Sequence, residues 1–214
     1  RHLKWVNHPH ALHLAERKAV QLSLAQRMSF TVPDTLISND HTKVTEFYNR
    51  NGGRVVAKPL SHGAYGDFEE YGIFANDLSS VQRVLEKSEI EICPFIIQRK
   101  VDKKYDVRLN LFGSIIFAHR IIPGNSDPDT LDWRTLDPHQ ISYERIEPPL
   151  RIIDSVQRFT KDLGLVFGAF DFAVDHEDQW YFIEVNPSGQ FAWLELATGD
   201  RLIDSLIDTL QCVK

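Results

Sequence analysis

Two carboxylates and an amide lie at spacings that could hold a divalent metal ion. Glu184 and Asn186 are two residues apart in the apolar segment WYFIEVNPSGQ. Side chains alternate between the two faces of a strand, so both should point the same way, and Phe182 should share their face. The upstream run at 170–174 (FDFAV) predicts a partner strand, with Asp171 opposite Phe182 if the hairpin loop has four residues. Oxygen ligands of this kind suit Mg²⁺.

An edge hairpin with solvated charges is the alternative interpretation of the same pattern. The aromatic residues that flank the acids favour burial, and a buried carboxylate needs a cation. The sequence therefore favours a metal site over a solvated edge.

Two lysines are candidates for contacts with phosphate. Lys58 ends the β-rich segment RVVAKP and precedes Gly63 and Gly66, and glycines let backbone N–H groups approach an anion closely. A strand followed by an ordinary glycine turn explains this segment equally well. Lys18 lies on the first predicted helix, where the pattern alone indicates a solvated lysine.

Arg108 and Arg120 lie within or beside apolar strand positions. A guanidinium in such a place needs a carboxylate or phosphate partner, because leaving it unpaired would cost several kcal/mol or so. The sequence leaves two interpretations open: an anionic substrate group, or a structural salt bridge to Asp106 or Glu184.

Composition limits the class of protein. The chain has 214 residues, 43% of them apolar, and a net charge of −6; this length allows one domain or two small lobes, and the charge argues against a general nucleic-acid partner. No apolar run approaches the roughly 20 residues that span a bilayer, so no membrane partner is expected. Cys93 and Cys212 form no CxxC pair, which favours a reducing, cytoplasmic compartment. Because Arg1 stands where an initiator Met is expected, we expect an N-terminal portion to precede it.

Periodicity predicts an α+β protein with antiparallel strands. The expected elements, in chain order, are a helix over 9–28, a strand over 54–59, a helix over 79–87, a strand over 94–98, a hairpin over 105–122, an irregular loop over 124–149, a helix over 152–163, the hairpin that carries the acids, and a terminal helix over 202–213. In the hairpin over 105–122, the register sets Arg108 across from His119. The motifs of P-loop and Rossmann nucleotide-binding proteins are not found in the sequence.

Taken in order, these motifs resemble the ATP-grasp superfamily. The matching positions are Lys18; Lys58 with the glycine-rich flap of Ser61, Gly63 and Gly66; the adenine-binding linker of Gln98, Arg99, Lys100 and Val101; Arg108 and Arg120; and the metal set of Asp171, Glu184 and Asn186. The segments KKYDVRLNLFG, DWR and FIEVNPSGQFAWLELATG look most like the peptide-modifying ligases of microviridin-type graspetides. The chain is also similar to ligases that add glutamate to a ribosomal protein. It departs from many relatives at Arg99 and Lys100, where they carry an acid that helps to hold adenine or ribose.

The resemblance implies an α+β ATP-grasp fold with two lobes whose antiparallel sheets clasp a nucleotide. Residues 1–100 would form the small lobe with the N-terminal helix, and residues 101–214 the large lobe with the metal site. The domain that precedes these lobes in relatives is expected to be absent from this chain.

The resemblance also implies a reaction, in which ATP converts a carboxylate into an acyl phosphate that an amine or hydroxyl then attacks. Two Mg²⁺ ions on the metal set and the two lysines would balance phosphate charge, while Arg108 and Arg120 would stabilise the transferred phosphoryl group. The substrate would be a ribosomally made peptide, joined through its side chains into a macrocycle. Two alternatives stay open: ligation of a free amino acid such as glutamate to a protein or small-molecule carboxylate, and a nucleotide-binding regulator without turnover. A homo-oligomer is also compatible with the sequence.

Overall fold

The chain folds into two compact units of helices and antiparallel sheet. The structure, a computed structural model, describes residues 5–60, 76–77, 86–124, 133 and 136–212. Among these, residues 5–32, 103–124, 133 and 136–212 form the larger unit, and residues 33–60, 76–77 and 86–102 form the smaller unit. The α+β class expected from periodicity is confirmed. Within the described residues, no helix is long and apolar enough to cross a membrane.

The larger unit is built on a five-stranded antiparallel sheet in the order β7-β6-β5-β8-β9. Its elements are α1 (Pro9–Ala15), α2 (Lys18–Arg27), β5 (Lys103–Phe112), β6 (Ile115–Pro123), β7 (Ile141–Ile146), α5 (Leu150–Leu163), β8 (Phe167–Asp175), β9 (Trp180–Asn186), α6 (Ala192–Thr198) and α7 (Leu202–Cys212). One face packs apolar side chains against α1, α2 and α5, and the other packs a second apolar cluster against α6 and α7. The strands between the two layers carry the candidate site.

The smaller unit is a four-stranded antiparallel sheet in the order β1-β4-β2-β3. Its elements are β1 (Thr35–Ser38), α3 (His41–Arg50), β2 (Val55–Lys58), β3 (Asn76–Asp77), α4 (Lys87–Ile90) and β4 (Phe95–Arg99). Val44 and Phe47 of α3 pack against Val55 and Ile97 of the sheet to form its core. Most of the helix expected over 79–87 lies outside the described residues.

The single helix expected over 9–28 is in fact two helices. Helix α1 ends at Ala15, Arg17 is extended (φ −78°, ψ 106°), and α2 begins at Lys18. The Gln21 side chain donates to the carbonyl of Ala15 at 2.7 Å and exchanges two hydrogen bonds with the backbone of Val185. Because this amide satisfies both a helix end and the outer edge of β9, it holds the start of α2 against that strand.

This docking places residues 5–32 in the larger unit. The sequence had led us to expect the N-terminal helix in the small lobe. The difference arises from contacts between α2 and β9, which are far apart in the sequence and leave no periodic signal.

The sequence predicts an irregular loop over 124–149, but part of this segment is a strand. Ile141–Ile146 forms β7 and pairs with β6 along the edge of the sheet. Its six residues, ISYERI, are only partly buried or exposed. An edge strand with polar side chains on an accessible face gives weak hydrophobic alternation, which explains why the pattern indicated a loop.

Candidate functional site

A row of ionisable side chains crosses the five-stranded sheet, with one residue on each strand. Arg145 of β7 pairs with His119 of β6, which pairs with Arg108 of β5. Arg108 pairs in turn with Asp171 of β8, which pairs with Glu184 of β9. The predicted pairing of Arg108 with His119 is confirmed. Directly opposed residues share a face of a sheet, so all five side chains lie on one face.

A β-bulge in β9 creates the pairing of Asp171 with Glu184. Phe172 pairs with Phe182, but Asp171 pairs with Glu184, so Ile183 is an extra residue on β9. Our expectation that Asp171 lies opposite Phe182 is therefore wrong.

The bulge also changes which side chains share a face. Phe182 and Val185 both lie in the apolar core, although they are three residues apart on one strand. Glu184 and Asn186 therefore do not share the face of Phe182, contrary to the alternation predicted from sequence. The extra residue lets β9 bury its aromatic side chain and still place its acid beside Asp171.

Arg108 binds Asp171 through one nitrogen. Its Nη1 donates to Oδ1 at 2.7 Å and to Oδ2 at 2.8 Å, and its Nη2 donates to the carbonyl of Gln190 at 3.2 Å. Both side chains are almost fully buried. The structural partner is therefore neither Asp106 nor Glu184; Asp106 pairs with Lys103 at 2.6 Å.

Glu184 binds a lysine from the start of α2. The Nζ of Lys18 donates to Oε2 at 2.5 Å, and both side chains are largely buried. The Nδ2 of Asn186 donates to Oε1 of Glu184 at 3.2 Å and to Oδ2 of Asp171 at 3.4 Å. Hydrogen bonds thus connect four residues into one cluster: Lys18, Glu184, Asn186 and Asp171. Lys18 is therefore not the solvated helix lysine that the pattern indicated.

The donor set fits a hard divalent cation. It has only two acidic residues, and no cluster of three or more His, Cys, Asp and Glu side chains that could hold a metal ion is found within the described residues. The candidate set instead has two carboxylates and one amide, and the amide of Asn186 reaches both acids. Mg²⁺ is commonly held by one or two carboxylates, with its remaining positions taken by water and phosphate oxygens.

The turn after β9 packs tightly on this face. A Cβ added at Gly189 would lie 2.8 Å from Cβ of Ala169 and 3.3 Å from Nη2 of Arg108. Only a residue without a side chain fits there, and this close approach brings the Gln190 carbonyl to Arg108.

Asp200 joins the row through His119 and Arg145, and sequence reasoning assigned neither His119 nor Asp200 to the site. The Nε2 of His119 lies 2.6 Å from Oδ2 of Asp200, whose Oδ1 accepts from Arg145 Nη1 at 2.8 Å. Burial lowers the pKa of His119 below its ordinary value, although Asp200 opposes the shift. Burial alone would raise the pKa of Asp200, but hydrogen bonds from His119 and Arg145 outweigh it and lower that pKa. The alternating pattern of β6 could have placed His119 on this face of the sheet. No local pattern could have identified its partner Asp200, which is 81 residues away in the sequence.

Arg120 does not join the row. It pairs with Val107, whose side chain lies in the core beneath α5, so Arg120 lies on the opposite face from Arg108. Its guanidinium lies 4.5 Å from the ring centre of Tyr105, and its Nη1 lies 3.5 Å from Glu144. The position of Arg120 does not support the catalytic role expected for it.

In the smaller unit, two of the predicted nucleotide ligands contact each other. Lys58 Nζ donates to Oε1 of Gln98 at 2.9 Å, and Nε2 of Gln98 donates to Thr35 at 2.8 Å. Gln98 is buried and lies across from Val56, on the face that Lys58 shares.

Three more of the predicted nucleotide ligands follow Gln98 in the chain: Arg99, Lys100 and Val101. The backbone N–H groups of Arg99 and Lys100 donate to the carbonyls of Asp34 and Arg54, and Val101 is half-buried. Their roles in binding nucleotide stay predictions. Ser61, Gly63 and Gly66 lie outside the described residues.

Aromatic side chains surround the start of α6. The Trp193 ring lies 5.2 Å from the Trp133 ring and 4.9 Å from the Tyr143 ring, measured between ring centres. Trp133 belongs to the DWR motif, and the structure places this one residue of the motif beside the helix that follows the acids.

Comparison with solved structures identifies the fold. A RiPP-associated ATP-grasp ligase from Chryseobacterium gregarium, in complex with ADP and a leader and core peptide, superposes with a TM-score of 0.85 at 27% identity over 97% of this chain and 63% of that chain. Macrocyclase MdnC from Microcystis aeruginosa MRC, bound with precursor peptide MdnA, gives 0.79 at 26% identity over 96% and 64%. The ATP-grasp ligase PsnB, complexed with a phosphomimetic variant of its minimal precursor, Mg and ADP, gives 0.75 at 22% over 96% and 61%.

The chain therefore has the ATP-grasp fold and is similar to ATP-grasp ligases that act on ribosomal peptides. It spans less than two thirds of the length of these three proteins. No family model matches the chain, and no curated protein matches it either.

Proposed function

We propose that this chain is the catalytic part of an ATP-dependent ligase that joins a carboxylate to an amine or hydroxyl on a ribosomally made peptide. The observation that carries the proposal is that Arg108, Asp171 and Glu184 lie on three adjacent strands, on one face of the sheet. The likeness to peptide ligases of the same fold supports it. A binding module without turnover has little use for a clustered oxygen set of this kind.

The side chains would divide the work of phosphoryl transfer. Asp171, Glu184 and Asn186 would hold Mg²⁺, which neutralises phosphate charge and orients the phosphoryl group when it is bound. Arg108 would stabilise the negative charge that develops on that group, because a planar guanidinium donates along two directions at once. Arg108 and Asp171 are almost fully buried, so their contacts are stronger than they would be in solvent.

We propose that Lys58 and Gln98 bind the nucleotide. The fit of Lys58 to this role rests on its half-buried side chain, which lies on the same face of the smaller sheet as Gln98 rather than in open solvent. The Gln98 amide could hydrogen-bond a nucleotide base, because amides both donate and accept.

The carboxylate and the nucleophile are proposed to be side chains of one peptide, so that the product is a macrocyclic ester or amide. Support comes from the precursor peptides bound to the Microcystis and Chryseobacterium proteins. The ligation of a free amino acid such as glutamate to a carboxylate stays the alternative, because it uses the same activated acid.

The number of metal ions and the cellular compartment complete the proposal. We propose two Mg²⁺ ions, because the four carboxylate oxygens and the amide exceed what one partly hydrated ion uses. We also propose a cytoplasmic location, which the exposed free thiols of Cys93 and Cys212 support.

Mass spectrometry of a candidate precursor peptide incubated with the protein, ATP and Mg²⁺ tests the proposal. Loss of one water for each bond formed, together with release of ADP, is the expected result. Glu184→Gln serves as the control, because it keeps the shape of the metal ligand and removes its charge. Addition of a free amino acid, seen as a mass gain, would favour the alternative. Equal ADP release by the wild-type protein and the control would contradict the metal site.

A further inference from the structure

The ammonium of Lys18 contacts Glu184, one of the three residues proposed to hold the metal ion. We infer that Lys18 is an internal counter-ion that keeps the site from binding a free divalent cation, so that metal enters only together with a phosphate ligand. The inference rests on the proposed function, since it concerns the same metal set, and it assigns Lys18 a specificity role distinct from simple phosphate binding.

Among the described residues, the two acids of the metal set are already matched by two cations. Each of the two carboxylates has its own buried cation: Lys18 for Glu184, and Arg108 for Asp171. The amide of Asn186 also presents its donor group to both acids. A free divalent ion would therefore approach a set with no formal excess of negative charge, and would have to displace an ammonium at 2.5 Å from its ligand.

A second contact holds the helix that carries Lys18 against β9. Lys18 is the first residue of α2, and Gln21, one turn later, fastens that helix to the backbone of Val185 next to Glu184. Removal of the ammonium should therefore leave the helix in place and leave Glu184 without its cation.

A phosphate ligand would change this balance. If a metal ion binds together with a nucleotide, the ammonium of Lys18 can move from Glu184 to a phosphate oxygen. Glu184 would then be free to bind the metal ion, and no buried charge would be left unpaired. Free metal offers no such anion, and the ammonium would be left buried beside the divalent ion.

Electron paramagnetic resonance of Mn²⁺ with the full 214-residue chain, without nucleotide, tests the inference. We expect Lys18→Met to bind Mn²⁺ roughly tenfold or more tightly than the wild-type protein, since a unit charge within about 4 Å acts strongly on a divalent ion. Lys18→Arg keeps the charge and should bind as weakly as the wild-type protein. Lys104→Met is the matched control, because Lys104 forms an exposed ion pair with Asp178 on the same unit.

A second variant and a second readout guard against a folding defect. Lys18→Gln can still donate to Glu184, and its Mn²⁺ affinity should also rise. Mn²⁺ should raise the melting temperature of Lys18→Met and Lys18→Gln more than that of the wild-type protein. In a protein that also carries Glu184→Gln, Lys18→Met should no longer raise the Mn²⁺ affinity. This result would show that Lys18 acts on metal binding through Glu184.

Equal Mn²⁺ affinity in the wild-type protein and both neutral variants would overturn the inference, and so would a lack of Mn²⁺ binding by all three. Failure of the proposed function gives a different result. In that case the wild-type protein would not bind ADP even with Mn²⁺ present, whatever the Lys18 variants do with the metal alone.

Discussion

Arg108 and Asp171 face each other on β5 and β8, and one guanidinium nitrogen lies 2.7 Å and 2.8 Å from the two carboxylate oxygens. The arginine thus neutralises an acid that is also a candidate metal ligand. A buried charge without its partner is strongly destabilising, so neither residue can be removed without an effect on the other. Charge-preserving substitutions therefore give the clearest tests.

We expect Arg108→Lys to retain nucleotide binding and to lose most of the turnover. The ammonium keeps the charge beside Asp171 but cannot also reach the Gln190 carbonyl, because it lacks the planar fork. The paired measurements are ATP affinity by calorimetry and ADP release in the presence of a substrate peptide. Equal losses in both would mean that Arg108 acts in ground-state binding, and its role in the transition state would then be wrong.

Glu184→Gln should abolish ATP turnover in a protein that still folds but melts at a lower temperature, because Lys18 loses its buried counter-charge. The amide has the shape of the carboxylate, and its Oε1 can still accept a hydrogen bond from Lys18. The loss of one negative charge weakens the metal set directly. Circular dichroism and melting temperature check the fold, and ADP release checks turnover. Unaltered turnover would rule out Glu184 as a metal ligand.

Lys58→Ala should weaken ATP binding more than it disturbs stability. Its ammonium donates to the buried amide oxygen of Gln98 on the neighbouring strand, and the loss of that hydrogen bond should change the free energy of unfolding by about 1 to 3 kcal/mol. Calorimetry with ATP and Mg²⁺, beside a urea titration, separates the two effects. Lys43→Ala, at an exposed lysine on α3, is the control and should leave ATP affinity unchanged. A Lys58→Ala protein with wild-type affinity would exclude a phosphate contact.

Much of the sheet that carries the site follows from alternation alone. The pattern around Gly113 predicted the pairing of Arg108 with His119, because apolar and polar residues alternate along both strands. The spacing of Glu184 and Asn186 also predicts a metal set, and the structure brings Asp171, Glu184 and Asn186 together; their binding of metal stays a prediction. Alternation fails at Ile183, since one bulged residue reverses the faces and no local pattern marks it.

The residues that complete the site depend on contacts between distant segments. Lys18 meets Glu184 across 166 residues of chain, and His119 meets Asp200 across 81. Lys18 reaches Glu184 because α2 docks on β9, and Asp200 reaches His119 from the connection between α6 and α7. Both placements are decided by the packing of the whole unit. Sequence patterns report the local period of an element and carry no information on its distant partner.

His119 should make the stability of the protein fall as the pH falls below about 6.5. Its imidazole is buried on the same face as Arg108 and Arg145, with Asp200 on its Nε2. Burial lowers its pKa below the ordinary value of 6.5, so the unfolded chain binds a proton at a pH where the folded chain does not. Stability then rises with pH through this window, by at most about 1.4 kcal/mol per pH unit for one proton.

Urea titrations between pH 5.5 and 7.5 check this slope. Because the pKa of Asp200 is lowered from 3.8, its contribution is lost only at lower pH and does not enter the window. His119→Gln should reduce the slope, whatever its effect on absolute stability, since glutamine can donate to Asp200 but cannot take up a proton. His176→Gln, at an exposed histidine between β8 and β9, is the matched control and should keep the wild-type slope. If His119→Gln also keeps the wild-type slope, His119 is not the group that resists protonation, and its burial beside Arg108 does not govern the response to acid.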